Sequence, residues 1–567
     1  MICEFSVNTE ITEPQYVNTS APSFASLVQG AAALLWVPQA ALLAGAVQRL
    51  GAGEGPAAVL WPAAGILLLG LLRSAAEAWG ARRVYAQARG RLSALRARAA
   101  AALAARSPMD SARPAAGLAA SVIAEQAEAV VPYLVRYGPA RWRATVVPLV
   151  IVAVVACLSW VAAAVLLVAA PLIPVFMAIV GWRARAASEA QMVELGGMNG
   201  FLLDRLRGLA TLRALDAVDA TARRLGESAQ SLRTRTMAVL RIAFLSSAVL
   251  ELFSALGVAM VAAYVGFHLL GTLGFGTWGR TLSLGEGLFI LLLAPAFFEP
   301  LRELSGVWHD RAAGEAALAS LARLREGGVA LPGAASTGER PCPQVGMPGA
   351  PAVRVQGLCF SHAGEAAFFD HYDLRVAAGE HVALMGPSGS GKTTLLSLIA
   401  GLLPAQRGEI QIGGVPLSDE TAAGLRARMA WMGQKPHVFA GSVQANVALG
   451  RAGVQTAQVE AAMRFAALEG VAQARPGVAL GEGGGGLSGG EAVRLALARV
   501  AAQPGADLLL VDEPTAHLDS ETAERVADAL MQLARGKTLI AATHDPVLAA
   551  RMGRVIRLDE LPVKEAA

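Results

Sequence analysis

The stretch that most constrains this 567-residue chain is Gly386-Pro-Ser-Gly-Ser-Gly-Lys392-Thr393. It satisfies the phosphate-loop pattern G-x-x-x-x-G-K-[ST]. His381-Val-Ala-Leu-Met-Gly386 ahead of it reads as a buried strand, and Thr394-Leu-Leu-Ser-Leu-Ile-Ala400 after it as a helix. In such a loop the glycines let backbone N–H groups curl around phosphates. Gly386, Pro387, Ser388, Gly389, Ser390, Gly391 and Thr394 form this cradle, Lys392 reaches the terminal phosphates, and Thr393 offers a hydroxyl to Mg²⁺. The helix that follows turns its positive end toward the same anion. Lys392 is the first lysine in a chain that otherwise uses arginine. A nucleoside triphosphate site is therefore expected.

Composition shows what surrounds that site. Hydrophobic residues make up 54%, charged residues only 16%, and mean hydropathy is +0.47, which points to a membrane protein. Phe24 to Gln48 and Gly55 to Leu72 are apolar runs separated by Gly51-Ala-Gly-Glu-Gly-Pro56. Ala144 to Trp182 is 39 residues without a charge, about twice one span, and is read as two helices with a hairpin near Ser159-Trp160. Phe244 to Leu270 and Leu282 to Leu304 add two more, giving six transmembrane helices. Arg73–Arg106 and Arg183–Arg241 are too polar for lipid and are read as long helical extensions. Arg73 to Arg143 holds twelve arginines, which places the extensions in the cytoplasm.

The same rule accounts for the net charge of +4 without nucleic acid as a partner. The N-terminus, with Glu4, Glu10 and Glu13 and no basic residue before Arg49, does not resemble a cleaved signal peptide. Cys3, Cys157, Cys342 and Cys359 show no C-x-x-C pair, so reduced thiols are expected. The expected organisation is a tail over 1–23, a membrane domain over 24–325, a Pro/Gly-rich linker over 326–352 and an α/β nucleotide-binding domain over 353–567.

Further motifs supply the rest of the triphosphate chemistry. Leu508-Leu-Leu-Val-Asp512-Glu513 is a buried strand ending in two carboxylates. Asp512 there can hold Mg²⁺ and Glu513 can act on the attacking water. Joined to Leu487-Ser-Gly-Gly-Glu491, this combination resembles the ATP-binding-cassette family across 353–560. The resemblance implies that Gln434 links Mg²⁺ and water to the membrane domain. It also implies that Ser488, Gly489, Gly490 and Glu491 close on a partner's ATP, that Ala516-His-Leu-Asp519 lies between two sites, that His544 senses the terminal phosphate, and that Glu482 touches the membrane domain. Two positions depart from the pattern. His362, in Phe360-Ser-His362, stands where an aromatic usually stacks on adenine, and Glu491 replaces a glutamine.

One cassette and six spans make half of a transporter, so a second half-transporter is expected. Ala170-Pro-Leu-Ile-Pro-Val-Phe-Met-Ala-Ile-Val180, Phe201-Leu-Leu-Asp-Arg-Leu-Arg-Gly208, Arg235-Thr-Met-Ala-Val-Leu-Arg-Ile-Ala-Phe-Leu-Ser-Ser247 and Leu293-Ala-Pro-Ala-Phe-Phe-Glu-Pro-Leu-Arg302 resemble the CydD-type subunits of bacterial thiol exporters. That resemblance implies a heterodimer with a CydC-type subunit in the bacterial inner membrane. It implies ATP-driven export of glutathione or cysteine in support of cytochrome bd assembly.

Glu251, inside an apolar run, is expected to face protein or a water-filled cavity; a substrate contact and an interhelical hydrogen bond both fit. Arg136, Arg141 and Arg143 fit either attraction of an anionic peptide or positive-inside anchoring. His309 fits either a substrate contact or a packed histidine, and Glu286 is read as solvated. The other functions open to the chain are export of haem, lipid or drug, and a subunit that only clamps ATP.

Overall fold

The computed structural model describes residues 23–171, 201–202, 205, 208–334, 349–362, 368–451, 453–471, 478–481, 486–503 and 505–558. The chain forms two compact units: Met1–Ala97 with Gly117–Ala322, and Arg98–Ala116 with Arg323–Ala567.

The first unit is helical. Its helices are α1 (Phe24–Leu34), α2 (Trp36–Gly51), α3 (Leu60–Ala104, of which this unit holds the part up to Ala97), α4 (Gly138–Leu158), α5 (Val218–Leu269), α6 (Leu284–Gly306) and α7 (Trp308–Arg323). Five segments among the described residues are long and apolar enough to cross a membrane: Phe24–Gly51, Pro56–Ala104, Ala116–Leu158, Glu251–Leu269 and Leu284–Arg323. A shorter apolar helix, Trp160–Pro171, follows α4. The break expected near Ser159-Trp160 is present, because Ser159 leaves the helix with φ −149° and ψ 116°. The remainder of the second helix expected within 144–182 lies outside the described residues. The buried Ser159 hydroxyl donates to the Gly276 carbonyl (2.7 Å) and lies 3.0 Å from the Tyr264 hydroxyl. The polar groups of this turn are thereby satisfied internally.

α3 runs from its span into the polar stretch after Arg73 without a break, whereas the polar stretch expected up to Arg241 is interrupted at 215–217 and continuous with its span only from Val218. α5 runs unbroken for 52 residues, about 78 Å at the α-helical rise. α6 is the hub of this unit and packs on α2, α4 and α5. Its Ile290, Leu293, Phe297 and Phe298 join Ile151, Val155, Val261 and Val265 in one core. A Cβ on Gly257 of α5 would lie 2.4 Å from Phe298 Cζ, so only glycine permits this close helix approach.

Several charged groups singled out in the sequence are paired. Arg136 meets Asp310 at 3.0 Å and Arg143 meets Glu303 at 3.2 Å. Glu286, read as solvated, instead closes the N-terminal capping box of α6 with Ser283 and pairs with Arg280 at 2.8 Å. The start of a helix rewards a carboxylate at this position.

The second unit carries two sheets. One is antiparallel, in the order β2-β1-β4-β5: β1 (Val353–Phe360), β2 (Phe369–Val376), β4 (Arg407–Ile412) and β5 (Val415–Pro416). The other is parallel, in the order β6-β7-β8-β3-β9: β3 (His381–Met385), β6 (Met429–Met432), β7 (Leu508–Asp512), β8 (Thr538–Ala542) and β9 (Arg554–Arg557). β7 and β8 are fully buried, as parallel strands covered on both faces must be. The helices are α8 (Lys392–Ile399), α9 (Val443–Ala448), α10 (Thr456–Phe465), α11 (Gly489–Ala501) and α12 (Ser520–Leu533).

The chain segment Arg98–Ala116 folds with this unit. Ser107 N–H donates to the Val329 carbonyl and Leu331 N–H to the Ala105 carbonyl, each at 2.9 Å. Asp110 accepts from the Val329 N–H at 3.0 Å. The fully buried Ser107 hydroxyl donates to the Leu402 carbonyl at 2.5 Å, just beyond α8.

Candidate nucleotide site

In a parallel sheet all strands point the same way, so every loop leaving a carboxyl end emerges on one edge, where ligands of α/β proteins bind. Here that edge gathers the motifs. Gly386 follows β3, Gln434 follows β6, Asp512 ends β7 and His544 follows β8. Residues far apart in the sequence meet because β7 pairs with both β6 and β8, and β8 with β3.

The loop after β3 has the curled form the motif needs. Gly389 and Gly391 both take φ +87°, a left-handed conformation natural to glycine. Gly391 also caps α8, and a Cβ there would stand 3.0 Å from Phe369 Cζ. Lys392 is buried and its Nζ donates to the Gly386 (2.7 Å) and Pro387 (2.9 Å) carbonyls, holding the ammonium within the loop. Pro387, Ser388 and Ser390 complete the turn, and Thr394 follows in the first turn of α8. The loop thus places backbone N–H groups, a helix start and a cation together, which is an anion cradle.

Thr393 Oγ1 donates to Asp512 Oδ2 at 2.8 Å. Asp512 is only 2% exposed, and its Oδ1 is buried without a hydrogen-bond partner among the described residues. Burial pushes its pKa above the ordinary carboxylate value, with Glu513 adding to the rise, while the Thr393 hydrogen bond and Lys392 act against it. An unsatisfied buried carboxylate oxygen beside a hydroxyl is a donor set suited to a hard divalent cation.

Glu513 has φ +51° although it is not glycine. Such strain is sparsely populated and collects at functional sites. The turn is held by its N–H donating to the Ala542 carbonyl at 2.8 Å. Its carboxylate pairs with His544 Nδ1. Glu513 is nearly enclosed while His544 is exposed, so the imidazole stands at the rim. Asp545, next to His544, accepts from Thr515 Oγ1 at 2.9 Å and ties this loop to the one after Glu513.

The remaining expected residues are placed as follows. Gln434 is exposed just beyond β6. His362 follows β1, with its ring edge-on to Phe360 (5.1 Å) and Phe368 (5.4 Å) and its Nε2 3.4 Å from Thr394 Oγ1. It therefore stands at the phosphate-loop end of α8. Ser488 caps α11 and forms a reciprocal capping box with Glu491, Ser488 N–H donating to Glu491 Oε2 at 2.8 Å. Glu491 thus completes the cap as glutamine would. Gly489 and Gly490 open that helix. Asp519 caps α12, and the Thr522 N–H holds its carboxyl below the ordinary value. Glu482 lies outside the described residues.

In the helical unit, Glu251 is 74% exposed at the start of its apolar segment and lies 3.5 Å from Arg302 of α6. His309 is exposed on α7. Neither joins the nucleotide site. Sequence reasoning missed Arg302 as the partner of Glu251, because nothing in the two motifs fixes how α5 and α6 pair.

Comparisons with known proteins agree with this arrangement. Residues 369–516 match the family model described as ABC transporter, and residues 142–300 match the ABC transporter transmembrane region. The chain is 36% identical over 430 residues to the glutathione/L-cysteine transport system ATP-binding/permease protein CydD of Haemophilus influenzae, covering 76% of this chain and 72% of that protein. It is 36% identical over 432 residues to the Escherichia coli protein of the same name, with the same two coverages. In fold it is similar to a bacterial Atm1-family ABC exporter solved with ATP bound, at TM-score 0.70 and 22% identity over 94% of this chain and 93% of the other. A multi-pass helical region, an ATP-binding cassette and these relatives lead to one assignment: the chain belongs to the ABC transporter family as a CydD-type protein, an ATPase coupled to transport.

Proposed function

We propose that this chain is one half of an exporter that moves glutathione, cysteine or both out of the bacterial cytoplasm across the inner membrane, paired with a CydC-type half. The observation that carries the reading is the similarity to the glutathione/L-cysteine transport proteins over three quarters of the chain. Two structural features support a second half. The most apolar part of Pro56–Ala104 is only 6% buried within this chain, which leaves apolar surface for a second half as well as for lipid. The signature Ser488–Glu491 opens α11, with Ser488 and Gly489 exposed at its start.

In this mechanism the phosphate loop and Lys392 hold one ATP, and Ser488, Gly489 and Gly490 meet a second ATP held by the partner. Thr393 and Asp512, with Gln434 beyond β6, would hold Mg²⁺; the orphaned Asp512 Oδ1 and the adjacent Thr393 hydroxyl fit that role. When bound, the ion neutralises charge on the terminal phosphate oxygens. Glu513 accepts the proton of the attacking water, and His544 holds the Glu513 carboxylate in place. Glu482 would contact the membrane domain, as the resemblance implies. Glu251 and its neighbour Arg302 offer opposite charges at the cytoplasmic ends of two spans, a match for a zwitterionic thiol peptide, and His309 extends that surface. The organisation into a tail (1–23), membrane domain (24–325), linker (326–352) and nucleotide-binding domain (353–567) is part of the same proposal.

Uptake of labelled glutathione and cysteine into inverted vesicles carrying both halves tests the reading. ATP-dependent uptake of either thiol, abolished by Lys392→Ala, supports it. Haem-stimulated ATPase activity without thiol uptake would replace it with haem export.

A further inference from the structure

The antiparallel sheet carries a second cluster of ligand-type side chains. Across β1 and β2, Phe360 pairs with Phe369 and Leu358 pairs with Tyr372. Between those pairs β1 supplies one residue, Cys359, and β2 supplies two, Asp370 and His371. This is a β-bulge, with two residues opposing one. In a regular strand Asp370 and His371 would point to opposite faces. His371 instead takes φ +52°, a backbone region uncommon for any side-chain-bearing residue. The bulge brings one atom each of the Cys359 thiol, the Asp370 carboxylate and the His371 imidazole within 4.8 Å of one another. His371 Nε2 is 3.9 Å from Asp370 Oδ1. Cys359 is half-buried on the outer face of β1, and its Sγ lies 3.7 Å from the Gly357 carbonyl.

From this geometry we propose that Cys359, Asp370 and His371 form a binding site for a thiophilic divalent cation, zinc above all, on the nucleotide-binding domain. A tetrahedral zinc ion sits at about 2.0–2.3 Å from sulfur, nitrogen and oxygen donors. The donor separations this demands are about 3.5 Å, against present separations of up to 4.8 Å. A thiolate with an imidazole selects zinc over magnesium or calcium, which take oxygen donors. Three protein ligands leave the fourth position to water. Zinc binding takes the Cys359 thiol to its thiolate and releases the proton to solvent.

The site is separate from the phosphate cradle but shares a hairpin with its base end. His362 lies three residues beyond Cys359, and its ring is flanked by Phe360 and Phe368, next to the bridged positions. Zinc joining β1 to β2 would fix the hairpin that presents His362 to the nucleotide.

The test uses the full chain with its partner half in detergent. Zinc binding is measured in competition with a chromophoric chelator, and cobalt substitution is followed by absorbance. One zinc per chain is expected, with a cobalt–thiolate charge-transfer band. Cys359→Ser and His371→Ala should each weaken binding on the order of tenfold or more, while Cys157→Ser leaves it unchanged and all three variants keep ATPase activity. Equal zinc affinity in the wild type and Cys359→Ser, or no thiolate band, would overturn the site. Zinc should shift nucleotide affinity in the wild type and not in Cys359→Ser; equal affinities with and without zinc would overturn the link to the nucleotide.

Discussion

Thr393 and Asp512 touch through a 2.8 Å hydrogen bond across 119 residues of sequence. The bond joins the first turn of the helix after the phosphate loop to the end of the neighbouring buried strand. It places a hydroxyl and a carboxylate side by side where the triphosphate chemistry must occur. The second Asp512 oxygen is buried and has no hydrogen-bond partner among the described residues, so this residue is arranged for a ligand rather than for the stability of the fold.

Asp512→Asn should therefore separate stability from function. Burial raises the Asp512 pKa in the folded state above its ordinary value of 3.8, so the folded chain holds that proton more tightly than the unfolded chain does. The ionised carboxylate costs stability, fully so above the raised pKa; the cost fades as pH falls from that pKa toward 3.8 and is gone below it. Without nucleotide or divalent cation, the variant should melt at a higher temperature than the wild type at neutral pH, with the advantage shrinking toward acid. Its Mg²⁺-dependent ATPase activity should be lost. Thermal melts over pH, with and without Mg²⁺ and ATP, check both halves.

Glu513→Gln should retain ATP binding and lose turnover by about 10²-fold or more, the usual scale for removing a general base. His544→Ala removes the imidazole that pairs with Glu513 and should lower turnover while leaving binding intact. Nucleotide binding and phosphate release, measured on the same preparation, separate the two effects. Unchanged phosphate release in Glu513→Gln would remove it from the water-activating role.

At the base end, His362→Tyr should tighten ATP binding several-fold, because stacking a base on a larger aromatic ring is worth about 1–3 kcal/mol. The gain should be smaller for pyrimidine triphosphates. Competition between ATP and CTP for a fluorescent nucleotide on the wild type and the variant measures it. A variant with the wild-type affinities would place the base elsewhere.

In the membrane unit, Gly257→Ala should destabilise the chain by about 1–3 kcal/mol, the range for overpacking a filled core. The added methyl would collide with Phe298, which is itself fully buried and cannot swing aside. Phe298→Leu in the same chain should recover part of the loss, which a double-mutant cycle in detergent melts would show.

Much of this was legible in the sequence, for physical reasons. The phosphate loop and the Asp512-Glu513 strand end carry fixed local geometry, so spacing alone points to them. Charge-free length marks membrane spans, and Ser159 breaks a run too long for one. Other features depend on distant pairing that periodicity does not encode. Nothing local reveals that Glu513 takes a left-handed backbone, that Glu251 meets Arg302, or that Ser107 hydrogen-bonds beyond the phosphate-loop helix. The bulge that sets Cys359 against Asp370 and His371 was equally hidden, because the three residues share no spacing motif.

The strand order of the parallel sheet also has a consequence for how the protein is made. The phosphate-loop strand β3 is flanked by β8 and β9, with His381 beside Leu539 and Val382 beside Arg554. Both neighbours are translated long after β3. As the ribosome proceeds, Gly386–Thr393 emerges long before the strands that hold it, and pairings this distant in sequence are slow to form. Until the last segment arrives, β3 is an unpaired apolar edge, a surface prone to misassociation. Nucleotide cannot rescue the growing cassette before Asp512 and His544 have emerged, with β7 and after β8. A truncation before β8 should leave a membrane-inserted chain whose cassette is captured by chaperones or proteases.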